Sequence, residues 1–180
     1  MRVRSALTAF ALVAGASAGV AAAPAQAAAP AAPASPATAP AAPLVTKISH
    51  SQATSMFRSS GITWSSSGGC SDRNNPTCTS FEQLNLPTAQ GAQTLKSASG
   101  CALNITGGTE TGHAGGTYSH WNGYKLDYAL STCLNNYVTG TFTYIGERGD
   151  GAAMYESGSG NVYARESNHW DVTYYNCGGC

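Results

Sequence analysis

The chain has 180 residues, a formal net charge of +0 with histidine neutral, and only 10% charged side chains. There is no basic excess to hold a nucleic acid, and past the N-terminus no apolar run is long enough to span a bilayer. Six cysteines, an even number, point to disulfides and an oxidising destination.

Met1-Arg2-Val3-Arg4, an apolar run from Ala6 to Ala23 and Ala25-Gln26-Ala27 form the charged start, core and cleavage site of a secretory signal. Residues 1–27 are therefore expected to be removed, rather than kept as an anchor. Loss of Arg2 and Arg4 leaves seven basic residues against nine acidic ones, a charge near −2. Residues 28–43 are almost entirely Ala and Pro, an extended linker with little to bury. Residues 44–180 then make one domain. It is expected to be secreted, extracellular or wall-associated, with no membrane span in the mature chain, and monomeric.

Ser49 to Ser60 reads as a helix capped by Ser49 or Ser51, with Ala53, Met56 and Phe57 on one face and Gly61 as the stop. Residues 62–79 read as loop, and Ser80 to Leu84 as a short helix. A longer helix starts at Leu86-Pro87, turns Ala89, Ala92, Leu95 and Ala98 inward, and ends at Gly100. Strands follow at Ala102–Thr106, Tyr124–Leu130, Thr141–Ile145, Ala152–Tyr155, Asn161–Ala164 and His169–Tyr175, with Leu134–Val138 ambiguous. Helices first and strands after give an α+β fold, N-terminal helices on a small antiparallel sheet. Of the fifteen pairings that six cysteines allow, neighbours in sequence are expected to bridge: Cys70–Cys78, Cys101–Cys133 and Cys177–Cys180. A thiolate zinc site at Cys177-x-x-Cys180 is the rival, disfavoured by the oxidising destination and the lack of a second CxxC.

Between the first and second of these strands, overlapping the ends of both, lies TGGTETGHAGGTYSHWNGYKLD, residues 106–127. Its glycines allow tight turns at an entropic cost, which makes sense if polar side chains must converge. Zinc hydrolases use three protein ligands, keep a position for water, and place a carboxylate nearby as base. His120, Asp127 and His169 can supply the ligands, and Glu166 the base. On a straight strand Glu166 and His169 would face opposite sides, so a bend at Ser167-Asn168 is required. Asp171 shares the face of His169, either orienting an imidazole or replacing Asp127 as ligand. His113 is open between substrate contact, loop packing and plain exposure.

Ser119-His120-Trp121-Asn122-Gly123-Tyr124-Lys125-Leu126-Asp127 resembles the S-x-H-x-x-G-x-A-x-D motif of the zinc D-alanyl-D-alanine carboxypeptidase and dipeptidase family, whose members share the hedgehog-type zinc peptidase fold. Glu166-Ser167-Asn168-His169-Trp170-Asp171 resembles that family's E-x-x-H followed by an aromatic and an acid. The likeness covers roughly residues 86–175. It implies zinc on His120, Asp127 and His169, Glu166 as base, and a cell-wall peptide as substrate. Lys125 stands where the family has a small residue, and the serine adjoins His120 instead of preceding it by two. Gly107-Gly108-Thr109-Glu110 stands about where the family has S-G-Y-R, whose arginine holds a substrate carboxylate. Glu110 with His113 is thus the expected substrate contact, and an endopeptidase or an amine-bearing substrate is expected over a free C-terminal carboxylate. Two other classes remain: a non-catalytic, metal-containing module that binds wall peptides, and a disulfide-stabilised inhibitor or toxin without metal.

Overall fold

A computed structural model of the chain describes residues 45–175. Those residues pack as one compact unit and contain three helices and nine strands, an α+β arrangement. Cys177 and Cys180 lie outside the described residues, as do the expected signal and linker.

In chain order the elements are β1 (Lys47–Ile48), α1 (His50–Ser59), β2 (Thr63–Trp64), β3 (Leu84–Asn85), α2 (Leu86–Ser99), β4 (Asn104–Gly107), β5 (Lys125–Ala129), α3 (Thr132–Thr141), β6 (Thr143–Glu147), β7 (Ala153–Glu156), β8 (Val162–Arg165) and β9 (His169–Thr173). Seven strands form one sheet in the order β2-β4-β5-β9-β8-β7-β6, and β1 pairs with β3 apart from it. The sheet is larger than expected and not wholly antiparallel, because β2 runs parallel to β4. Residues 62–79, expected to be all loop, supply that edge strand.

The caps explain where the helices begin and stop. Ser49 and Gln52 close a reciprocal capping box on α1, and α2 ends on Gly100 in the left-handed region, φ 66°. Ala53 and Phe57 of α1 and Ala89, Ala92 and Leu95 of α2 are buried as expected, whereas Ala98 is exposed. Ser80–Leu84 forms no helix; it turns into β3. The ambiguous stretch is α3. Ser131 caps it by accepting from the Leu134 N–H, and Leu134 and Val138, one turn apart, are its buried pair. Cys133 in its first turn is bridged to Cys101, and a second bridge joins Cys70 to Cys78. Both match the expected pairing and suit an oxidising environment. No helix among the described residues is long and apolar enough to cross a membrane.

The two central strands place the chemistry. Along β5, Leu126 and Tyr128 are fully buried in the helix-covered core; along β9, Trp170 and Val172 are too. Burying such side chains contributes about 1.5–3 kcal/mol each, which fixes the register. With period two, the residues between them must face the other way: Lys125 and Asp127 on β5, His169 and Asp171 on β9. Asp127 is directly opposite Asp171, so the core itself puts two carboxylates side by side.

Candidate metal centre and its cleft

On that second face a cleft of about 500 Å³ is walled by His113, His120, Lys125, Asp127, Arg148, Asp150, Glu166, His169 and Asp171. At its floor Asp127 is only 5% exposed. His120 Nε2 lies 3.2 Å and His169 Nε2 3.4 Å from Asp127 Oδ1, and His113 Nδ1 lies 3.7 Å from Oδ2. Bond lengths of about 2.0–2.1 Å around a tetrahedral zinc put its ligand atoms roughly 3.3 Å apart, which is the spacing seen on Oδ1. Two of the expected ligands, His120 and His169, thus each stand beside the third, Asp127. Among the described residues, the group whose ligand atoms all lie within 4.8 Å of one another, and which could hold a metal ion, is His113, His120 and Asp127, with His113 in place of the expected His169.

Each imidazole has its far nitrogen tied down. His120 Nδ1–H donates to the Gly108 carbonyl at 2.7 Å, and His169 Nδ1–H to Asn168 Oδ1 at 2.7 Å. His113 Nε2–H donates to Glu110 Oε1 at 3.2 Å. In the neutral form of each ring this leaves the inward nitrogen as the acceptor, the form in which a histidine binds metal. Asp127 Oδ1 and Asp171 Oδ1 are buried without a hydrogen-bond partner. Asp127 Oδ1 is offset only by the imidazoles of His120 and His169, and a cation beside the two buried oxygens would offset both more fully.

Glu110 does not reach the cleft. It is 3% exposed and accepts from the Ser80 and Gly108 N–H groups as well as from His113. Burial acts to raise its pKa, but the His113 ring and those N–H groups outweigh it and hold the carboxyl below its ordinary value. Its place is behind His113, as an anchor. Asp171 does not orient an imidazole either. Its Oδ2 accepts from Lys125 Nζ at 2.6 Å and Arg148 Nη1 at 2.8 Å, while Oδ1 lies 3.8 Å from His120 Nε2.

Glu166 and His169 face the same way because the chain bends at Ser167-Asn168, as expected. They flank the two-residue tip joining β8 to β9, and the Glu166 N–H donates to the His169 carbonyl at 3.0 Å. Cross-strand partners share a face, so Glu166 Oε2 comes to 3.5 Å from His169 Nε2. The other oxygen, Oε1, is held by Arg148, which also binds Asp150 and Asp171. Asp150, against some loss from burial, and then Glu166 and Asp171 raise the Arg148 pKa further. Arg148 was not legible as a site residue: it arrives from the turn after β6, and only the antiparallel order β6-β7-β8-β9 brings it over the cleft.

Two glycines leave room for this arrangement. A Cβ at Gly107 would stand 2.4 Å from Asp127 Oδ2, and one at Gly108 2.0 Å from the Ser80 carbonyl. Gly107 is paired with Asp127 beside an irregularity in the β4–β5 register, so the carboxylate lies across a strand with no side chain in its way.

Burial acts to lower the His120 pKa, but the Asp127 carboxylate, then Asp171 and the Gly108 carbonyl, outweigh it and leave it raised above 6.5. For Asp127 burial acts upward, and His120, His169 and His113 bring it below its ordinary value. In the metal-free protein the His120 contribution to stability is complete below about pH 6.5 and is lost as pH rises through the raised pKa; that of Asp127 is lost as pH falls through the lowered one. A metal taken up here must displace the His120 proton. Below the raised His120 pKa zinc uptake is therefore expected to release a proton and to weaken as pH falls. Calorimetric titration at about pH 6, below the ordinary imidazole value, in buffers of different ionisation enthalpy measures that release; uptake without a proton there would contradict it.

Compared with protein-family models, curated proteins and solved structures, the chain matches none.

Proposed function

We propose that the chain is a secreted zinc metallopeptidase that hydrolyses peptide bonds in peptidoglycan or related cell-wall peptides. The observation that carries this reading is the convergence of His120 and His169 on the buried Asp127 Oδ1, with Glu166 beside them in the same cleft. The wall substrate rests on the resemblance of the His120–Asp127 and Glu166–His169 motifs. Zinc held by His120, Asp127 and His169 would supply a Lewis acid that makes water nucleophilic near pH 7 and polarises a carbonyl.

The chain's own groups do the rest. Glu166 is the proton carrier: Arg148 fixes Oε1 and leaves Oε2 toward the centre, where it can accept a proton from water and pass it to the leaving amine. The far-side bonds of His120 and His169 keep their Nε2 atoms aimed at Asp127. Lys125 and Arg148, the cations on the cleft wall, are both committed to Asp171, and Arg148 to Glu166 and Asp150 as well. Neither is free to clamp a terminal carboxylate. The half-exposed acid at the rim is Asp150, held down to about 2 by Arg148. An internal peptide bond, or a side chain carrying an amine, suits such a cleft better.

A metal-containing binding module without turnover is the second reading, and the Arg148 grip on Glu166 Oε1 is what favours it. The experiment is cleavage of purified peptidoglycan and of muropeptides blocked or free at the C-terminus. Cleavage that a chelator stops and zinc restores is expected, with blocked peptides cut at least as well as free ones. Zinc binding with no cleavage of any wall peptide would leave the binding module, and no zinc binding would leave the disulfide-stabilised inhibitor or toxin.

A further inference from the structure

The glycine-rich segment that carries His113 and His120 has few apolar anchors of its own. Tyr118 and Trp121 are exposed, and a Cβ at Gly115 or Gly116 would meet nothing within 4 Å. Holding such a chain in one shape costs about 1–2 kcal/mol per residue in backbone entropy. Something outside the segment must fix the two imidazoles.

One side chain closes both ends. Arg73 Nε donates to the Thr109 carbonyl at 3.2 Å, and Arg73 Nη2 donates to the Trp121 carbonyl. Its guanidinium also lies over the Trp121 ring, 3.7 Å from the centroid. Thr109 immediately precedes Glu110, the anchor of His113, and Trp121 immediately follows His120. Residues 109–121 are therefore a loop whose neck is held by one planar fork, and both histidines lie inside it. The Thr111 N–H returns a bond to the Arg73 carbonyl at 2.8 Å. Arg73 sits within the segment closed by Cys70–Cys78, whose Pro76 packs where a side chain at Gly112 would go.

We propose that Arg73, braced by the Cys70–Cys78 bridge, is the positioning residue for His113 and His120, holding the neck of their loop so that both imidazoles meet Asp127. This deepens the metal-centre reading and rests on it. Arg73 touches neither metal nor substrate. It acts through the two carbonyls, and its planar fork is what a lysine cannot copy.

The test is zinc affinity of the mature protein by competition with a chromophoric chelator, with the melting temperature and amide hydrogen exchange of the metal-free form. Variants are Arg73→Ala, Arg73→Lys and the pair Cys70→Ser/Cys78→Ser. Loss of an orienting partner typically costs about 10–100-fold in metal affinity. Arg73→Ala and Arg73→Lys are both expected to fall in that range, with faster exchange confined to residues 109–121 and little change in melting. The serine pair is expected to weaken zinc in the same direction. Wild-type affinity in Arg73→Lys would overturn the proposal, and so would a loss of affinity matched by exchange throughout the fold, which marks a merely structural role. If the wild type itself bound no zinc, the metal-centre reading would fail; exchange confined to residues 109–121 in the Arg73 variants would still decide whether Arg73 closes the loop.

Discussion

Glu166→Gln is expected to reduce wall-peptide hydrolysis about 100- to 10,000-fold while leaving zinc bound and the fold intact. Glutamine has the shape of glutamate but cannot take up a proton. Its amide oxygen can still accept from Arg148, which grips Oε1 in the native protein, so the β8–β9 tip should keep its place. Glu166 is not among the atoms nearest Asp127; His169 separates them. Loss of turnover without loss of metal therefore isolates the proton-carrying role. Single-turnover rates on a soluble muropeptide, with zinc content measured on the same sample, give both readouts. Full activity in Glu166→Gln would move the base elsewhere, and Asp171, with its unpartnered buried oxygen, would be the group to examine.

The ligand variants should behave in the opposite way. His120→Ala and Asp127→Asn are expected to lower zinc affinity by more than about 100-fold, beyond what losing an orienting partner does. They should also destabilise the metal-free protein. His120 and Asp127 are both nearly buried and face each other at 3.2 Å. Without His120 the buried carboxylate keeps only His169 and His113, a loss of at most about 3–5 kcal/mol. In Asp127→Asn the His120 ring can turn neutral, which makes the cost smaller. His169→Ala should lose zinc with less harm to the fold, because its ring is more exposed. Urea midpoints of metal-free variants beside zinc titrations separate the two effects. A zinc affinity in Asp127→Asn equal to that of the wild type would remove Asp127 from the centre.

The parts of this site that follow from alternation were legible in the sequence. Leu126 and Tyr128 on β5, and Trp170 and Val172 on β9, declare which face is core, and that leaves Asp127, His169 and Asp171 on the other. The bridges Cys70–Cys78 and Cys101–Cys133 were legible by joining nearest neighbours in sequence. The role of Glu110 was not. Its type and neighbourhood suggested a cleft residue, but its direction depends on Ser80, thirty positions earlier, which turns it inward. Period-two reasoning placed Glu166 opposite His169 and required a bend at Ser167-Asn168; the hairpin tip is that bend, and partners across it share a face. Arg148 and Arg73 reach the site across 18 and 36 positions of sequence, and no local pattern marks them. Helix α3 was obscured because its inward face is only Leu134 and Val138, among threonines, asparagines and a glycine that carry weak helix preference.

Zinc stoichiometry of the purified mature protein tests the centre most directly. Elemental analysis after exhaustive dialysis against metal-free buffer and reloading should find about one zinc per chain, the occupancy of a single mononuclear site, falling to background in His120→Ala. A wild type that retains no zinc, or a His120→Ala variant that retains as much as the wild type, would contradict the account.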